Sequence, residues 1–440
     1  MTPMTPRPSH APLPYGVRDL FLREAAAHAA LRDCWRALFA RWAYTEVITP
    51  TYEHYDVLLR GYGADQEADL YRVLDREGAV LALRPDMTTQ VARLAGAKLA
   101  QEPRPLRFSY VTNVFRYDEP QAGRQREFFQ AGVELIGAAT AQADAEIIEL
   151  CVEALRCVGL RDFQLNLGHM GLFRGLMEGL PLRPGQVANL RRAIDRKDHT
   201  NLARLLGEYG VEAPLATLVC ALPRLCGGPE VLAQAGDLLR AVRSPSAASE
   251  GAAQPSMRPV DVAGAASEHL ATLYRLLQAR GIAQYVILDL GEVRGMGYYT
   301  GINFEGFVAG IAFPICSGGR YDNLVGLYGP PSPAVGFALG VERIQMALEQ
   351  QGHAAPAIEP DLLVSAAAAE KARSAIQKAR ARGLRVAVDP LLAADDALLA
   401  YAAAKAIPRL LLDGGDVAVI VERDRQRPVA WLDVEEALGL

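Results

Sequence analysis

The sequence predicts an α+β protein whose core is a mixed, mainly antiparallel sheet flanked by helices. Three observations lead to this prediction. Two apolar stretches flank a polar loop within 106–137, which is the pattern of a hairpin. Leu, Ala and Arg recur at helical spacing through 181–242, which indicates a helical insertion. Strand and helix patterns alternate after 360, as in a small separate α/β domain.

The composition indicates a protein with a large buried core. The chain has 440 residues, of which 50% are hydrophobic and 22% are charged, and its formal net charge is −5. The mild acidity argues against a protein that holds nucleic acid through a basic field. No stretch approaches the ~20 apolar residues of a membrane span, and the start of the chain lacks the apolar segment of a signal peptide. We therefore expect a cytoplasmic protein without membrane association.

The six cysteines show no pattern of metal ligands. None belongs to a CxxC pair, and no cluster of histidines accompanies them. They are expected to be reduced and mostly packed thiols, and we expect neither a metal nor a cofactor.

The domain boundaries follow from shifts in composition. A flexible arm is expected over 1–14, and the sheet core over 15–180 and 268–350. The helical insertion between them spans 181–267. Its last part, 244–267, is rich in Ser, Ala, Gly and Pro and is predicted to be a loop. The C-terminal α/β domain is predicted over 360–440.

The first part of the core contains an early helix and two short strand patterns. Ala, Leu and Arg favour a helix over 21–44. Pro50 follows a short strand, so this strand is expected at a sheet edge or an interface, or simply to end there. At the next helix start, capping is the simpler interpretation of Thr88. The carboxylate of Asp86 is a candidate either for capping or for holding an ammonium group.

The hairpin carries the most informative chemistry. On its returning strand, Gln130, Gly132 and Glu134 share one face because side chains alternate along a strand. An amide and a carboxylate thus flank a glycine that leaves room above the sheet. With Arg116 at the rim, this face suits a ligand with an anionic end and a nitrogen-rich end. The alternative is a solvated hairpin with ordinary surface charges.

Three arginines have a similar setting at or near the end of a predicted strand, namely Arg116, Arg294 and Arg343. The guanidinium group binds carboxylates and phosphates through two parallel hydrogen bonds and stays charged when partly buried. Together they favour an anion-holding site.

Five motifs in order resemble those of class II aminoacyl-tRNA synthetases with the histidyl-tRNA synthetase fold. TEVITPTYE resembles motif 1, FRYDEP with REFFQAGVELIG resembles motif 2, and GFALGVERI resembles motif 3. EVRGMGYYTGINFE and SGGRYDNLV resemble the two histidine-specific motifs. The resemblance covers most of 14–350 and implies a class II synthetase-like fold with Pro50 at a homodimer interface.

The same resemblance implies a histidine pocket. Its residues would be Asp86, Thr88, Arg116, Gln130, Glu134, Arg294, Tyr298 and Tyr299, with Tyr321 as a further candidate. Gln130 and Glu134 would face the imidazole nitrogens, and Asp86 the α-ammonium group. Arg116 and Arg294 would face the carboxylate or an α-phosphate. Arg116 and Arg343 are the candidates for contact with a nucleotide or phosphate.

Several positions depart from the synthetase pattern. Asp86 and Met87 stand where the synthetases have Glu and Gly, Asp118 stands in place of Glu, and Gly297 in place of Asp. A displacement of ~1 Å at a reacting centre can cost ~100-fold in rate, so these changes argue against aminoacylation. The segment 389–406 has three Asp and one Lys, which argues against tRNA as a partner.

RPDMT, VRGMGYYTG and FQAGVELIG resemble a non-catalytic family of synthetase paralogues, the regulatory subunits of ATP phosphoribosyltransferase. This resemblance implies homodimers that assemble with short-form catalytic subunits in the first step of histidine biosynthesis. It also implies that the chain is required for their activity and binds histidine for feedback inhibition. The alternatives are an active histidyl-tRNA synthetase and a binding module of another kind on the same fold.

Overall fold

The computed structural model describes residues 13–117, 125–178, 180–243, 259–293, 297–422 and 425–440. These residues form two compact units. The smaller unit comprises Phe21–Ala26 and Ala355–Leu440, and the larger unit contains the rest of the chain up to Ala354. Within the described ranges, no helix combines the length and the apolar character that crossing a membrane requires.

The larger unit is built on a mixed sheet. Its strands are β1 (Thr45–Glu46), β2 (Tyr52–His54), β3 (Arg72–Leu74), β4 (Val80–Leu83), β5 (Leu106–Phe115), β6 (Glu127–Ile136), β7 (Phe163–His169), β8 (Cys226–Gly227), β9 (Val286–Asp289), β10 (Ile302–Val308), β11 (Cys316–Arg320) and β12 (Ala334–Gly340). Nine of them form one sheet in the order β1-β5-β6-β12-β11-β10-β7-β9-β8, and β2-β4-β3 form a separate sheet. In the large sheet only the pairs β1–β5 and β7–β9 are parallel among the described strands, so the predicted fold class is confirmed.

Helices cover this sheet. They are α1 (Leu22–Arg41), α2 (Tyr55–Tyr62), α3 (Thr88–Arg93), α4 (Ala141–Cys157), α5 (Met170–Glu178), α6 (Pro184–Asp195), α7 (His199–Glu208), α8 (Ala213–Ala221), α9 (Glu230–Arg243), α10 (Pro259–Ala279) and α11 (Val341–Gln350). The helix α1 begins within the smaller unit and continues into the larger one.

The alternation along β6 separates two environments. Ala131, Val133 and Leu135 are buried in the main apolar cluster, which also contains side chains of α1 and α4. The opposite face of β6 carries Gln130 and Glu134, as the period-two pattern predicts. The hairpin β5–β6 therefore has a back face packed on helices and a front face available for polar chemistry.

The insertion differs from its prediction in two ways. Its short strand β8 pairs with β9, so the insertion adds an edge strand to the sheet in addition to its helices. The predicted loop is wrong for 259–267, because α10 begins at Pro259 and packs against α5. Ala263 and Ala266 are buried there, which shows that the small residues serve close helix packing rather than a loop. The rest of the predicted loop, 244–258, lies outside the described residues.

The smaller unit is a five-stranded sheet with helices. Its elements are β13 (Leu362–Val364), α12 (Ala366–Lys371), α13 (Arg373–Ala381), β14 (Val386–Val388), α14 (Asp395–Ala404), β15 (Arg409–Asp413), β16 (Val417–Glu422), β17 (Arg425–Ala430) and α15 (Val434–Ala437). The strand order is β14-β13-β15-β16-β17. The parallel pairing expected from the sequence holds for β14, β13 and β15, while β16 and β17 pair antiparallel.

Candidate functional site

Glu134 is the centre of a buried polar cluster on the front face of β6. Its side chain is 1% exposed. One carboxyl oxygen accepts a hydrogen bond from Thr88 Oγ1 at 2.7 Å and one from the Tyr110 hydroxyl at 3.3 Å. The other oxygen accepts a hydrogen bond from the Tyr321 hydroxyl. Donors from α3, from β5 and from the residue that follows β11 therefore hold one acidic side chain in place.

Burial dominates the electrostatics of Glu134. Loss of solvent raises the pKa of its carboxyl group to about 8, although the hydroxyl donors of Tyr321, Thr88 and Tyr110 oppose this rise. The negative charge of Asp86 raises it further. A group of this kind changes its protonation readily when a charged or hydrogen-bonding ligand arrives.

The glycine in β6 has a defined occupant above it. Tyr110 lies directly opposite Gly132 in the β5–β6 register. A β-carbon at position 132 would lie 2.6 Å from the Tyr110 hydroxyl oxygen, so only glycine admits this ring. The sequence predicted open room above Gly132, and in the structure Tyr110 fills that room and reaches Glu134. The pairing of an aromatic residue with a glycine across the two strands is the signal that would have placed Tyr110 at this site.

Asp86 is buried, and among the described residues only one of its two carboxyl oxygens has a hydrogen-bond partner. Its side chain is 3% exposed, and Oδ1 accepts a hydrogen bond from the Thr89 backbone N–H at 3.1 Å. Oδ2 has no hydrogen-bond partner among the described residues. Burial raises the pKa of Asp86, and the neighbouring charge of Arg116 opposes this rise.

The helix start at α3 corrects one expectation. Met87 occupies the N-cap position without a side-chain cap, and Asp86 Oδ1, one residue earlier, accepts from the Thr89 N–H. The hydroxyl of Thr88 donates to Glu134, so the simpler interpretation of Thr88 as a cap is wrong. Met87, one of the departures from the synthetase pattern, is 1% exposed and packs in the apolar cluster beside the site, 3.6 Å from the Thr49 hydroxyl.

Gln130 supplies a second unsatisfied acceptor. Its side chain is 9% exposed, and Oε1 lacks a hydrogen-bond partner within the part of the chain that the structure describes. An unmade hydrogen bond of a buried polar group costs about 1–3 kcal/mol. Asp86 Oδ2 and Gln130 Oε1 are therefore suited to a ligand that brings N–H or ammonium donors.

Arg116 and the tyrosines border the cluster. Arg116 Nε donates to the Pro85 carbonyl at 2.9 Å, and its guanidinium carbon lies 5.5 Å from the centre of the Phe128 ring. The ring of Tyr298 lies edge-on to those of Tyr299 and Tyr321, with centroids 5.2 Å and 5.8 Å away. Burial raises the pKa of Tyr298 well above its ordinary value, and Asp86 adds to the rise.

Four predicted positions lie apart from this cluster or outside the described residues. Arg294 and Asp118 fall outside the described residues. Arg343 lies in the first turn of α11, where Nη1 donates to the Pro314 carbonyl at 2.7 Å and the guanidinium carbon lies 5.0 Å from the centre of the Phe313 ring. Pro50 is exposed, and its carbonyl accepts a hydrogen bond from Gln90 Nε2 at 2.9 Å.

The fold is that of a protein of the histidyl-tRNA synthetase type, and the family model described as Histidyl-tRNA synthetase matches residues 16–344. The chain is 43% identical over 345 residues to an ATP phosphoribosyltransferase regulatory subunit of Moorella thermoacetica, covering 78% of this chain and 83% of the relative. The chain therefore belongs to the family of ATP phosphoribosyltransferase regulatory subunits, whose members carry this fold as regulatory subunits rather than as catalytic enzymes.

Two further comparisons extend this similarity over nearly the whole chain. A regulatory subunit of the same name from Geobacter sulfurreducens is 36% identical over 419 residues, covering 94% of this chain and 91% of the relative. A crystal structure of an ATP phosphoribosyltransferase regulatory subunit/histidyl-tRNA synthetase from Bacillus halodurans C matches with a TM-score of 0.76 and 29% identity. It covers 91% of this chain and 97% of that chain.

Proposed function

We propose that the pocket around Glu134 binds histidine and that the chain uses it to transmit feedback inhibition to a short-form ATP phosphoribosyltransferase catalytic subunit. The observation that supports this proposal is the pair of buried, unsatisfied acceptors, Asp86 Oδ2 and Gln130 Oε1. The charge of Asp86 contributes to raising the pKa of Glu134 to about 8, and Gln130 lies on the same face of β6 as Glu134. Histidine carries an ammonium group and an imidazole N–H, which are the donors that these oxygens lack.

The assignment of contacts follows from charge. The ammonium group of histidine pairs with Asp86, whose buried carboxylate gains a cation that restores its charged form. An imidazole N–H donates to Gln130 or Glu134 on the floor of the pocket. Arg116, together with Arg294, binds the carboxylate of the amino acid. This arrangement rejects an analogue that lacks a ring nitrogen, because a buried acceptor would then stay unpaired.

The regulatory role requires a difference between two states of the assembly. A ligand shifts an equilibrium only by its difference in affinity between the two states. Histidine must therefore bind the inhibited complex more tightly than the active one. In this proposal the chain is required for activity of the catalytic subunit, which performs the first step of histidine biosynthesis in the cytoplasm.

We also propose that the chain forms homodimers through the segment around Pro50. Ile48 is 94% exposed and Tyr52 is 57% exposed on either side of this proline. Pro50 is exposed as well, so Ile48, Pro50 and Tyr52 form a stripe of exposed apolar residues along the chain. Exposed apolar stripes of this kind are typical of protein–protein contacts.

Calorimetric titration with histidine tests the pocket. The variant Glu134→Ala is expected to lose histidine binding and to keep its assembly with the catalytic subunit, as measured by light scattering. Glu127→Ala is the matched control, because Glu127 lies on the same strand and its side chain contacts Asn113 instead. Undiminished histidine affinity in Glu134→Ala would remove the pocket assignment.

A further inference from the structure

Two cysteines from different helices lie side by side in the larger unit. Cys34 belongs to α1 and Cys157 is the last residue of α4, and their Sγ atoms are 3.0 Å apart. A disulfide bond requires about 2.05 Å between the sulfurs, so the two sulfurs would have to approach by about 1 Å. Cys157 is exposed and Cys34 is half-buried, so a small oxidant in solvent reaches the pair.

The surrounding contacts fix the two helices in this register. Trp35 Nε1 donates to the Ala154 carbonyl at 2.8 Å, and Trp42 Nε1 donates to Glu153 Oε2 at 2.9 Å. The Cys157 thiol also lies 3.3 Å from the Ala154 carbonyl. Because neighbours of both cysteines are tied across the same helix pair, the two sulfurs stay close without a covalent bond.

We propose that Cys34 and Cys157 form a reversible, oxidant-responsive disulfide that ties α1 to α4. Low-molecular-weight disulfides such as oxidised glutathione are the oxidant class that would drive it. The more exposed Cys157 thiolate attacks the glutathione disulfide, forms a mixed disulfide and releases one glutathione. The Cys34 thiolate then attacks Cys157 Sγ and releases the second glutathione. Two protein thiols lose two electrons and two protons, which the two glutathione thiols take up.

The electrostatics set the conditions of this reaction. Although Cys157 as a residue is exposed, its sulfur packs against Cys34, and this local loss of solvent raises the pKa of the thiol. The neighbouring Cys34 thiol and Glu153 add to the rise, and Arg41 opposes it. The thiolate is the reactive form, so the disulfide forms slowly at neutral pH and faster in mildly alkaline solution. This fits thiols that stay reduced in ordinary conditions and respond to a sustained oxidant.

A second cysteine pair provides an internal comparison. Cys151 and Cys316 have their Sγ atoms 3.7 Å apart, and both are buried. Burial shields this pair from a soluble oxidant, so we expect it to remain reduced while Cys34 and Cys157 react. Both pairs have sulfurs close together, but only Cys34 and Cys157 can be reached by an oxidant in solution, and this access distinguishes the proposed site.

Peptide mapping by mass spectrometry tests the proposal on the full chain. The reduced protein is incubated with oxidised glutathione at several alkaline pH values, because the reactive thiolate becomes more abundant as the pH rises toward the raised pKa of Cys157. The expected product links the peptides of Cys34 and Cys157 and carries no glutathione on Cys157. In Cys34→Ser the second step is absent, so Cys157 is expected to retain glutathione. Dithiothreitol should reverse both products.

The opposing outcomes are equally specific. Stable glutathione on Cys157 of the unaltered chain would overturn the proposal. The proposal would also be overturned if the thiols of Cys34 and Cys157 remained free after glutathione had modified the exposed Cys226. The crosslinked chain is also expected to melt at a temperature at least as high as the reduced chain, because a preorganised disulfide restricts the unfolded state. A lower melting temperature would contradict the preorganised geometry.

Discussion

Gly336 lies so close to Glu134 that a β-carbon at position 336 would overlap the Glu134 carboxyl group. The two residues are paired across β12 and β6, and the absence of a side chain on one strand makes room for the acid on the other. The buried acid and the glycine are thus parts of one arrangement.

The first prediction concerns this pair. Gly336→Ala is expected to lower the free energy of unfolding by about 1–3 kcal/mol, because extra atoms in a packed interior force side chains out of their preferred positions. It is also expected to weaken histidine binding, since Glu134 must move. Urea denaturation measures the first effect and calorimetry the second.

Gly207→Ala in α7 is the matched control. A β-carbon at position 207 meets nothing within 4 Å. Alanine at such a helical site is expected to leave the stability unchanged or raise it by about 0.4–1 kcal/mol. Equal losses in the two variants would contradict the close contact between Gly336 and Glu134.

The second prediction concerns pH. Burial raises the pKa of Glu134 from its ordinary value to about 8, so the folded protein holds a proton that the unfolded chain releases at lower pH. Its contribution to stability is complete below pH 4.5 and is lost as the pH rises to about 8. The loss is on the order of 1 kcal/mol for each unit of raised pKa.

Glu134→Gln removes this titration while keeping the shape of the side chain. The stability of the variant is expected to fall less than that of the unaltered chain between pH 5 and pH 8. Burial also raises the pKa of Asp86, so both proteins lose some stability through Asp86 as the pH rises. Parallel stability–pH curves for the two proteins, from urea denaturation, would count against a proton on buried Glu134.

The third prediction concerns Tyr110. Tyr110→Phe keeps the ring over Gly132 and removes the hydroxyl that donates to Glu134. We expect a loss of about 0.5–1.5 kcal/mol in the free energy of unfolding, the usual contribution of one hydrogen bond. The pKa of Glu134 should rise further because the carboxylate loses a donor. NMR titration of the Glu134 side chain would detect this shift, and a fall in its pKa would contradict the contact.

The fourth prediction concerns the proposed homodimer. Ile48→Asp places a charge in the apolar stripe and is expected to give monomers, as measured by sedimentation. Leu432→Asp is the control, because Leu432 is 95% exposed but belongs to the smaller unit rather than to the segment around Pro50. If both variants remain dimers, the interface lies elsewhere.

The fifth prediction separates regulation from aminoacylation. The purified chain alone is expected to show no histidine-dependent exchange between ATP and pyrophosphate. Folded dimers without exchange would agree with a regulatory subunit, and addition of the short-form catalytic subunit should then yield phosphoribosyltransferase activity that histidine inhibits. Robust exchange would instead identify a synthetase.

The sequence predicted much of the site because its pattern is local. Alternation along one strand is enough to place Gln130 and Glu134 on the same face, and the ordered motifs identify the fold around them. Tyr110 escaped prediction because its contact with Glu134 depends on the register of β5 against β6, which a loop of variable length can shift. Thr88 was misinterpreted because the same hydroxyl chemistry serves caps and long-range contacts.

The error at 259–267 has a different cause. Ala, Gly and Ser are common both in loops and in helices that pack closely, so composition alone does not distinguish them. Ala263 and Ala266 are buried against neighbouring helices, a fact that depends on partners distant in the sequence. Only the tertiary structure shows which use applies.

The pairing of β8 with β9 makes the insertion part of the framework and not an appendage. A flap that opens and closes over a ligand needs a connection that bends, whereas a strand joined to the sheet edge by backbone hydrogen bonds resists bending. Substitutions that destabilise α8 or α9 should therefore also destabilise the adjoining edge of the sheet. The amide hydrogens of β8 and β9 should exchange with solvent at similar rates.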